Sequence, residues 1–254
     1  MTVLAASERF VPFSGQHLVL LVVCAVGVAA VVVVGRRHRD TEREEPSRRA
    51  AAVALAAVAL AMQAYQLTPQ DFDLATSLPL ALCDLATVSA VVALWSREPR
   101  AVAFTYYVGL TLTAQGLLTP SLAEAFPHPR FFGFWALHLG VVWAAAYLTW
   151  GLGVRPTWRR YGFSVAATAT YAVVAFAFNA AAGTNYGYLN RKPPGASVLD
   201  YLGPWPWYVA VEVALIALVW AVVLTLPWYA VGRAAPTTTS RSRPATLRER
   251  SRRT

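Results

Sequence analysis

Four side chains of this chain could carry group-transfer chemistry, and all four lie inside apolar stretches of sequence. They are Cys83, Asp84, His138 and Glu212. A thiol becomes a strong nucleophile once a base removes its proton, and an imidazole suits that task. A carboxylate can orient the imidazole and stabilise its cation, as in hydrolytic triads. These residue types predict a catalytic group in which Cys83 is the nucleophile, His138 is the base, and Asp84 or Glu212 is the orienting group.

The depth of these residues in the apolar stretches favours one common cavity. An ionisable side chain inside a membrane span is costly unless it faces the bundle interior, so each one is a functional candidate. Cys83, Asp84, His138 and Glu212 lie six or seven residues into their predicted spans, which corresponds to a depth of about 9 to 11 Å. All enter from the same side, where Asn179 also lies. The alternative is that these groups only form interhelical hydrogen bonds, each worth roughly 0.6 to 2 kcal/mol.

The composition shows what must position these residues. The chain has 254 residues, of which 57% are hydrophobic and 14% are charged, and the apolar residues are crowded into blocks. This composition excludes an ordinary soluble enzyme, because a span of the hydrocarbon core needs about 20 apolar residues and several blocks are that long. We therefore predict an all-α, polytopic membrane bundle in a single domain, 1–235. The predicted spans are 17–35, 50–67, 77–95, 101–118, 131–152, 161–182 and 205–228.

The basic residues predict the orientation of these spans. Of the 22 Lys and Arg residues, 18 fall in the connections on one side and 4 on the other. The positive-inside rule then predicts an N-terminus outside and a C-terminus in the cytoplasm. Residues 236–254 have almost no apolar side chains and are predicted to form a disordered basic cytoplasmic tail. Because topology explains the net charge of +9, we expect no nucleic acid partner.

The sequence gives little reason to expect a metal or a cofactor. Cys24 and Cys83 form no CxxC pair, and no HxxxH or ExxH pair is present to pre-position two metal ligands. Cys24 lies among Val and Ala residues and is interpreted as a buried small hydrophobe. Cys83 and His138, each taken alone, could also be ordinary interior residues. We predict no metal site and no cofactor.

Three segments carry a family resemblance: SLPLALCDLA (77–86), FFGFWALHLG (131–140) and TNYGYLNRKPPGASVLDYLGPWPWY (184–208). They resemble the YwaF family of bacterial integral membrane proteins, which is itself similar to the eukaryotic transmembrane protein 164 group. The resemblance implies a seven-helix, multi-pass protein of the bacterial cytoplasmic (inner) membrane. The eukaryotic relatives look like acyltransferases that load acyl chains onto glycerophospholipids through a membrane cysteine and a histidine. Matched to this sequence, these two residues are Cys83 and His138.

The connection 183–204, long and rich in Tyr, Pro, Gly and Asn, is predicted to form an ordered cap over the cavity. Asn179, Asn185 or Tyr186 could donate hydrogen bonds to an oxyanion. Arg191 and Lys192 could hold a lipid phosphate, although a cationic pair at an interface is commonly only an anchor. Membrane lipids are thus the expected substrates, and the oligomeric state stays open.

Three functions remain open from the sequence. The leading hypothesis is an acyltransferase or acyl hydrolase that forms a thioester on Cys83. The second is a polar-solute or proton-coupled transporter in which Asp84, His138 and Glu212 relay protons. The third is a non-catalytic assembly protein whose intramembrane polar groups serve only packing.

Overall fold

The structure is a computed structural model that describes residues 9–193 and 197–233. It contains seven helices, and the prediction of an all-α polytopic membrane bundle is confirmed. The predicted disordered tail, 236–254, lies outside the described residues. The helices are α1 (Gly15–His38), α2 (Glu44–Gln66), α3 (Leu82–Ser96), α4 (Pro99–Leu118), α5 (Pro129–Gly151), α6 (Trp158–Ala182) and α7, which begins at Trp207 and ends at Arg233.

Five of these helices, α1 and α4 to α7, are long and apolar enough to cross a membrane. Helix α3 has only 15 residues, or about 22 Å at 1.5 Å per residue. A hydrocarbon core is about 30 Å thick. The segment before α3, 77–81, is not helical, and it contains a tight turn in which the amide of Leu80 donates to the carbonyl of Leu78 at 2.8 Å. Helix α3 alone is therefore shorter than the core, and this non-helical segment precedes it in the same apolar stretch.

Successive helices run back and forth, so their connections alternate between two ends of the bundle. One end, called the cap end, carries the connections 67–81, 119–128 and 183–206. The opposite end, called the arginine end, carries 39–43, 97–98 and 152–157. The orientation predicted from the basic residues assigns the arginine end to the cytoplasm.

Buried polar contacts fix α3 against α2 at the arginine end. The Arg48 guanidinium donates to the main-chain carbonyls of Leu94 and Trp95 in the last turn of α3. These carbonyls have no partner within their own helix, and the negative end of the helix dipole favours a cation there. Glu44 lies 3.6 Å from Arg48 and 3.0 Å from Arg97. The position of α3, and with it the position of Cys83, is thus fixed from the far end.

Three helices contain a π-helical segment: Gly109–Thr113 in α4, Tyr147–Gly151 in α5 and Trp220–Thr225 in α7. Such segments are rare and are found mostly as single bulges, frequently at functional sites. These segments could not be predicted from the sequence, because no set of residue types distinguishes a π-helical segment from the α-helix around it. The segment in α4 borders the cavity described below.

Candidate functional site

A cavity of about 610 Å³ opens at the cap end between α3, α4, α5, α7 and the cap. Seven of the nine predicted site residues line it, and we call it the Cys83 cavity. The seven are Cys83, His138, Glu212, Asn185, Tyr186, Arg191 and Lys192. The predicted residues that do not line it are Asp84 and Asn179. Residues far apart in sequence therefore line one space.

The route to this convergence differs from the predicted one. The sequence placed Cys83 six residues into a helix beginning at 77, whereas α3 begins at Leu82 and Cys83 is its second residue. Pro79 disfavours helical backbone at Leu78, and the bond from the Ala81 amide to the Asp84 side chain sets the start of α3 at Leu82. Counting from the helix starts thus no longer gives Cys83 and His138 the same depth. They line one cavity although α3 begins only after the non-helical segment 77–81.

Side chains from α2, α6 and the cap satisfy polar backbone groups of the segment 77–81. Gln63 donates to the carbonyl of Ser77 at 2.8 Å, and Tyr171 donates to the carbonyl of Leu80 at 2.9 Å. Tyr186 accepts from the amide of Leu78 at 3.1 Å. Irregular backbone at membrane depth is tolerated only where such partners exist. The segment 77–81 is therefore held by specific contacts and is not a frayed helix end.

Tyr186 links this segment to the cap. Its hydroxyl also donates to the carbonyl of Leu74 at 2.7 Å. Burial raises the pKa of Tyr186, so the phenol keeps its proton at neutral pH and can donate. The predicted role of Tyr186 as an oxyanion donor competes with this bond, because one hydroxyl has one proton to give.

Asp84 has a local partner. Its Oδ2 atom accepts from the amide of Ala81 at 2.9 Å, which caps the first turn of α3. A carboxylate in this position satisfies an otherwise unpaired N–H and interacts favourably with the positive end of the helix dipole. The contact fixes the start of the helix one residue away from Cys83. Asp84 is therefore a positioning residue for Cys83 in this geometry, in place of the predicted partner for the imidazole.

The imidazole of His138 is oriented by a main-chain carbonyl. Nδ1 lies 2.8 Å from the carbonyl oxygen of Phe134, and the two rings stack with centroids 4.0 Å apart. A carbonyl can only accept, so Nδ1 carries the proton and Nε2 of the neutral ring carries a free lone pair. Gly116 of α4 leaves the space for this edge of the ring, because a Cβ there would lie 3.3 Å from Nε2. The orientation of the ring is thus fixed, with its basic nitrogen on the edge that faces α4.

Glu212 reaches the cavity from α7 and is the carboxylate that remains available there. Within the described residues its side chain makes no ion pair or hydrogen bond. An intramembrane carboxylate without a partner marks a functional position by default. Of the two predicted orienting residues, Glu212 is the one that lines the cavity.

Asn179 holds the cap in place. It is buried in α6, where its amide nitrogen donates to the carbonyl of Tyr186 at 2.9 Å. Its Oδ1 atom accepts from the amide of Tyr186 at 2.7 Å and from the hydroxyl of Thr184 at 2.8 Å. Both polar atoms of the Asn179 side chain are thus occupied by hydrogen bonds within the protein. Asn179 therefore affects the cavity by positioning Tyr186, which lines it.

Asn185 shapes the cationic part of the cap. Its Oδ1 atom accepts from the amides of Asn190 and Arg191, and its amide nitrogen donates to the carbonyl of Arg191 at 2.8 Å. Lys192 lies 3.8 Å from Asp200 and 5.5 Å from the centre of the Tyr208 ring. Arg191 forms no ion pair within the described part of the chain. Its guanidinium is therefore a free cation at the cap side of the cavity.

Thr113 is a cavity residue that the sequence analysis missed. It ends the π-helical segment of α4 and lines the cavity. It is 3% exposed, and its hydroxyl has no hydrogen-bond partner in the structure. A buried hydroxyl without a hydrogen-bond partner costs free energy. The Thr113 hydroxyl is therefore available to a molecule bound in the cavity. No sequence signal distinguishes Thr113 from the other threonines of α4.

A packed layer separates the cavity from the arginine end. Tyr107 and Trp220 are fully buried with ring centroids 5.1 Å apart. The Tyr107 hydroxyl lies 2.6 Å from the hydroxyl of Thr225, and Tyr106 donates to the carbonyl of Leu224 at 2.9 Å. The hydroxyls of both tyrosines thus have partners within the protein, and neither side chain lines the Cys83 cavity.

Within residues 9–193 and 197–233, no three His, Cys, Asp or Glu side chains group closely enough to hold a metal ion.

Comparison with known proteins assigns the family. No curated protein and no solved structure matches the chain. Residues 12–224 match the TMEM164 family, a range that holds α1 to α6, the cap and most of α7. The chain therefore belongs to the TMEM164 family of multi-pass membrane proteins.

Proposed function

We propose that this chain is a membrane-embedded acyltransferase that moves an acyl group between phospholipids through a thioester on Cys83. One observation carries the proposal: Cys83 and His138 line the same cavity, and the Nε2 atom of His138 has a free lone pair. A nucleophilic thiol and an oriented base in a water-poor space are the parts that this reaction needs.

The reaction proceeds in two half-reactions. In the first, Nε2 of His138 takes the proton of the Cys83 thiol, and Sγ attacks the ester carbonyl of the donor lipid. The carbon–oxygen bond breaks, the leaving alkoxide takes the proton from Nε2, and a lysophospholipid departs. In the second, Nε2 takes the proton of the acceptor hydroxyl, whose oxygen attacks the thioester. The carbon–sulfur bond breaks, and the Cys83 thiolate recovers its proton from the imidazolium.

Other groups of the cavity suit supporting roles. Thr113 has an unused hydroxyl that can donate to the oxyanion of each tetrahedral intermediate. Arg191 offers a free guanidinium for the phosphate of the lipid, since a planar fork of N–H groups matches phosphate oxygens. Glu212 can stabilise the imidazolium. Val108 and Leu112, also in the lining, give apolar surface to the acyl chain.

The proposal is tested with purified protein in vesicles that contain a phospholipid with a labelled acyl chain and an unlabelled lysophospholipid acceptor. We expect label to appear in the acceptor, and we expect Cys83→Ala and His138→Gln to abolish the transfer. Cys24→Ala is the matched control, because it removes the other thiol, which lies outside the cavity. Transfer that persists in Cys83→Ala would remove the thioester mechanism.

The variant Glu212→Gln distinguishes acyl transfer from proton-coupled transport. The packed layer of Tyr107 and Trp220 below the cavity favours a closed reaction chamber over a conducting path. Proton flux into sealed vesicles that is lost in Glu212→Gln would favour transport. If the wild type shows no acyl transfer, and Cys83→Ser and His138→Gln change stability more than any activity, the chain would instead be an assembly protein.

A further inference from the structure

Three guanidinium groups line one cavity at the arginine end, far from the Cys83 cavity. The arginine cavity has a volume of about 400 Å³. Arg36 lies in the last turn of α1, Arg39 follows that helix, and Arg155 lies in the connection between α5 and α6. Two separate parts of the chain therefore bring like charges to the same space.

Contacts with the main chain position Arg36, Arg39 and the backbone that carries Arg155. Nε of Arg36 donates to the carbonyl of Trp150 at 3.2 Å. Gly153 has a φ of +77°, and a Cβ there would lie 2.6 Å from the guanidinium of Arg39. The guanidinium of Arg160 donates to the main-chain carbonyl of Arg155 at 3.1 Å, which fixes the backbone of the connection that carries Arg155. The absence of a side chain at Gly153 thus lets Arg39 lie against the connection.

The protein does not neutralise this charge. No Asp or Glu is among the described residues that line the cavity. The ion pair formed there joins Arg39 to Asp40 at 3.8 Å, and both side chains are exposed, so it is weak. The dipole at the end of α1 favours Arg36 but not Arg155, which belongs to another segment. Converging cations repel one another, and an anion between them would relieve that repulsion.

The lining indicates which anion fits. Two indole rings, Trp150 and Trp228, complete the cavity together with Thr149. Trp side chains concentrate at the headgroup level of membranes, where lipid phosphates lie. Guanidinium groups bind phosphate oxygens in pairs of parallel hydrogen bonds. We propose that the arginine cavity binds a phosphate group, presented by an anionic phospholipid or free in solution.

The test uses a photoactivatable phosphatidylglycerol with its reactive group near the phosphate, added to the full chain in a neutral detergent. We expect cross-links on the connection between α5 and α6. A photoactivatable diacylglycerol, which lacks the phosphate, is the matched probe and should give none there. In the triple variant R36Q/R39Q/R155Q we expect the apparent affinity of phosphatidylglycerol at this position to fall about 100-fold.

The control variant R37Q/R43Q/R159Q removes three arginines that do not line the cavity, and it should keep the cross-link. The double variant R191Q/K192Q should also keep it, which separates this position from the Cys83 cavity. If the triple variant does not fold, the single variant Arg155→Gln replaces it, with an expected loss of about tenfold.

Inorganic phosphate distinguishes the two sources of the anion. Displacement of the lipid by millimolar phosphate, lost in the triple variant, would support a cavity that also takes free phosphate. Lipid cross-links that resist phosphate but require the arginines would support a headgroup site. Equal cross-linking in wild type and in the triple variant, or equal cross-linking by diacylglycerol, would overturn the proposal.

Discussion

Replacing Asn179 with Ala should open the cap without disturbing the helices. The substitution removes the three hydrogen bonds that the Asn179 side chain makes with Thr184 and Tyr186. A typical intramolecular hydrogen bond contributes about 1 kcal/mol net, so the three bonds together stabilise the closed cap by about 3 kcal/mol. Because 1.4 kcal/mol is a factor of about ten, the open population should rise about 100-fold.

Hydrogen–deuterium exchange measures this opening directly. The informative amides are those of Tyr188, Asn190 and Arg191, whose own hydrogen bonds go to Asn185 rather than to Asn179. They exchange faster only if the cap opens as a unit. We expect their exchange to accelerate about 100-fold in Asn179→Ala, while the amides within α6 stay protected.

Two further variants calibrate the result. Thr184→Val removes one of the three bonds, so we expect an acceleration of roughly fivefold. Thr170→Ala removes a hydroxyl of the same helix that contacts only the carbonyl of Ala166, and it should leave the cap unchanged. Exchange of the cap amides at the wild-type rate in Asn179→Ala would refute the reasoning.

The remaining predictions concern packing and the Cys83 cavity. Arg48→Ala should destabilise the protein by about 3 kcal/mol in thermal unfolding, because it leaves the carbonyls of Leu94 and Trp95 without a partner and leaves Glu44 with Arg97 alone; Arg49→Ala, at an exposed position, should leave the melting temperature nearly unchanged. Gly35→Ala should lower the melting temperature, since a Cβ there would lie 2.7 Å from the backbone of Gly151; Gly162→Ala has open space and should not lower it. Thr113→Val keeps the shape of the side chain and should slow acyl transfer about 10- to 100-fold without a change in unfolding; an unchanged rate would remove its hydroxyl from the mechanism.

The sequence predicted the residues of the cavity better than it predicted how they are held. The seven helices could be predicted from the sequence, because apolar blocks of sufficient length and basic connections between them are visible in its composition. The partners of His138 and Asp84 could not, because both side chains bond to main-chain groups, whose positions no residue type reveals. The prediction counted 77–81 as helix because its apolar residues suit a span, although Pro79 was a signal for extended backbone.

Asn179 and Thr113 show two other limits of the sequence. Asn179 was correctly expected near the cap end, but its hydrogen bonds with Tyr186 depend on a loop conformation that sequence spacing cannot give. Thr113 owes its position to a π-helical segment, which has no periodic signature. The roles of both residues follow from the hydrogen bonds of the folded chain: the Asn179 side chain has three, and the Thr113 hydroxyl has none.

The central claim is that Cys83 carries the acyl group, and mass spectrometry tests it most directly. Purified protein is incubated with a donor phospholipid in the absence of an acceptor, and its peptides are mapped before and after treatment with hydroxylamine, which cleaves thioesters. We expect an acyl group on Cys83, removed by hydroxylamine, reduced in His138→Gln and absent from Cys24. Unmodified Cys83, or equal acylation of Cys83 and Cys24, would contradict the proposed function.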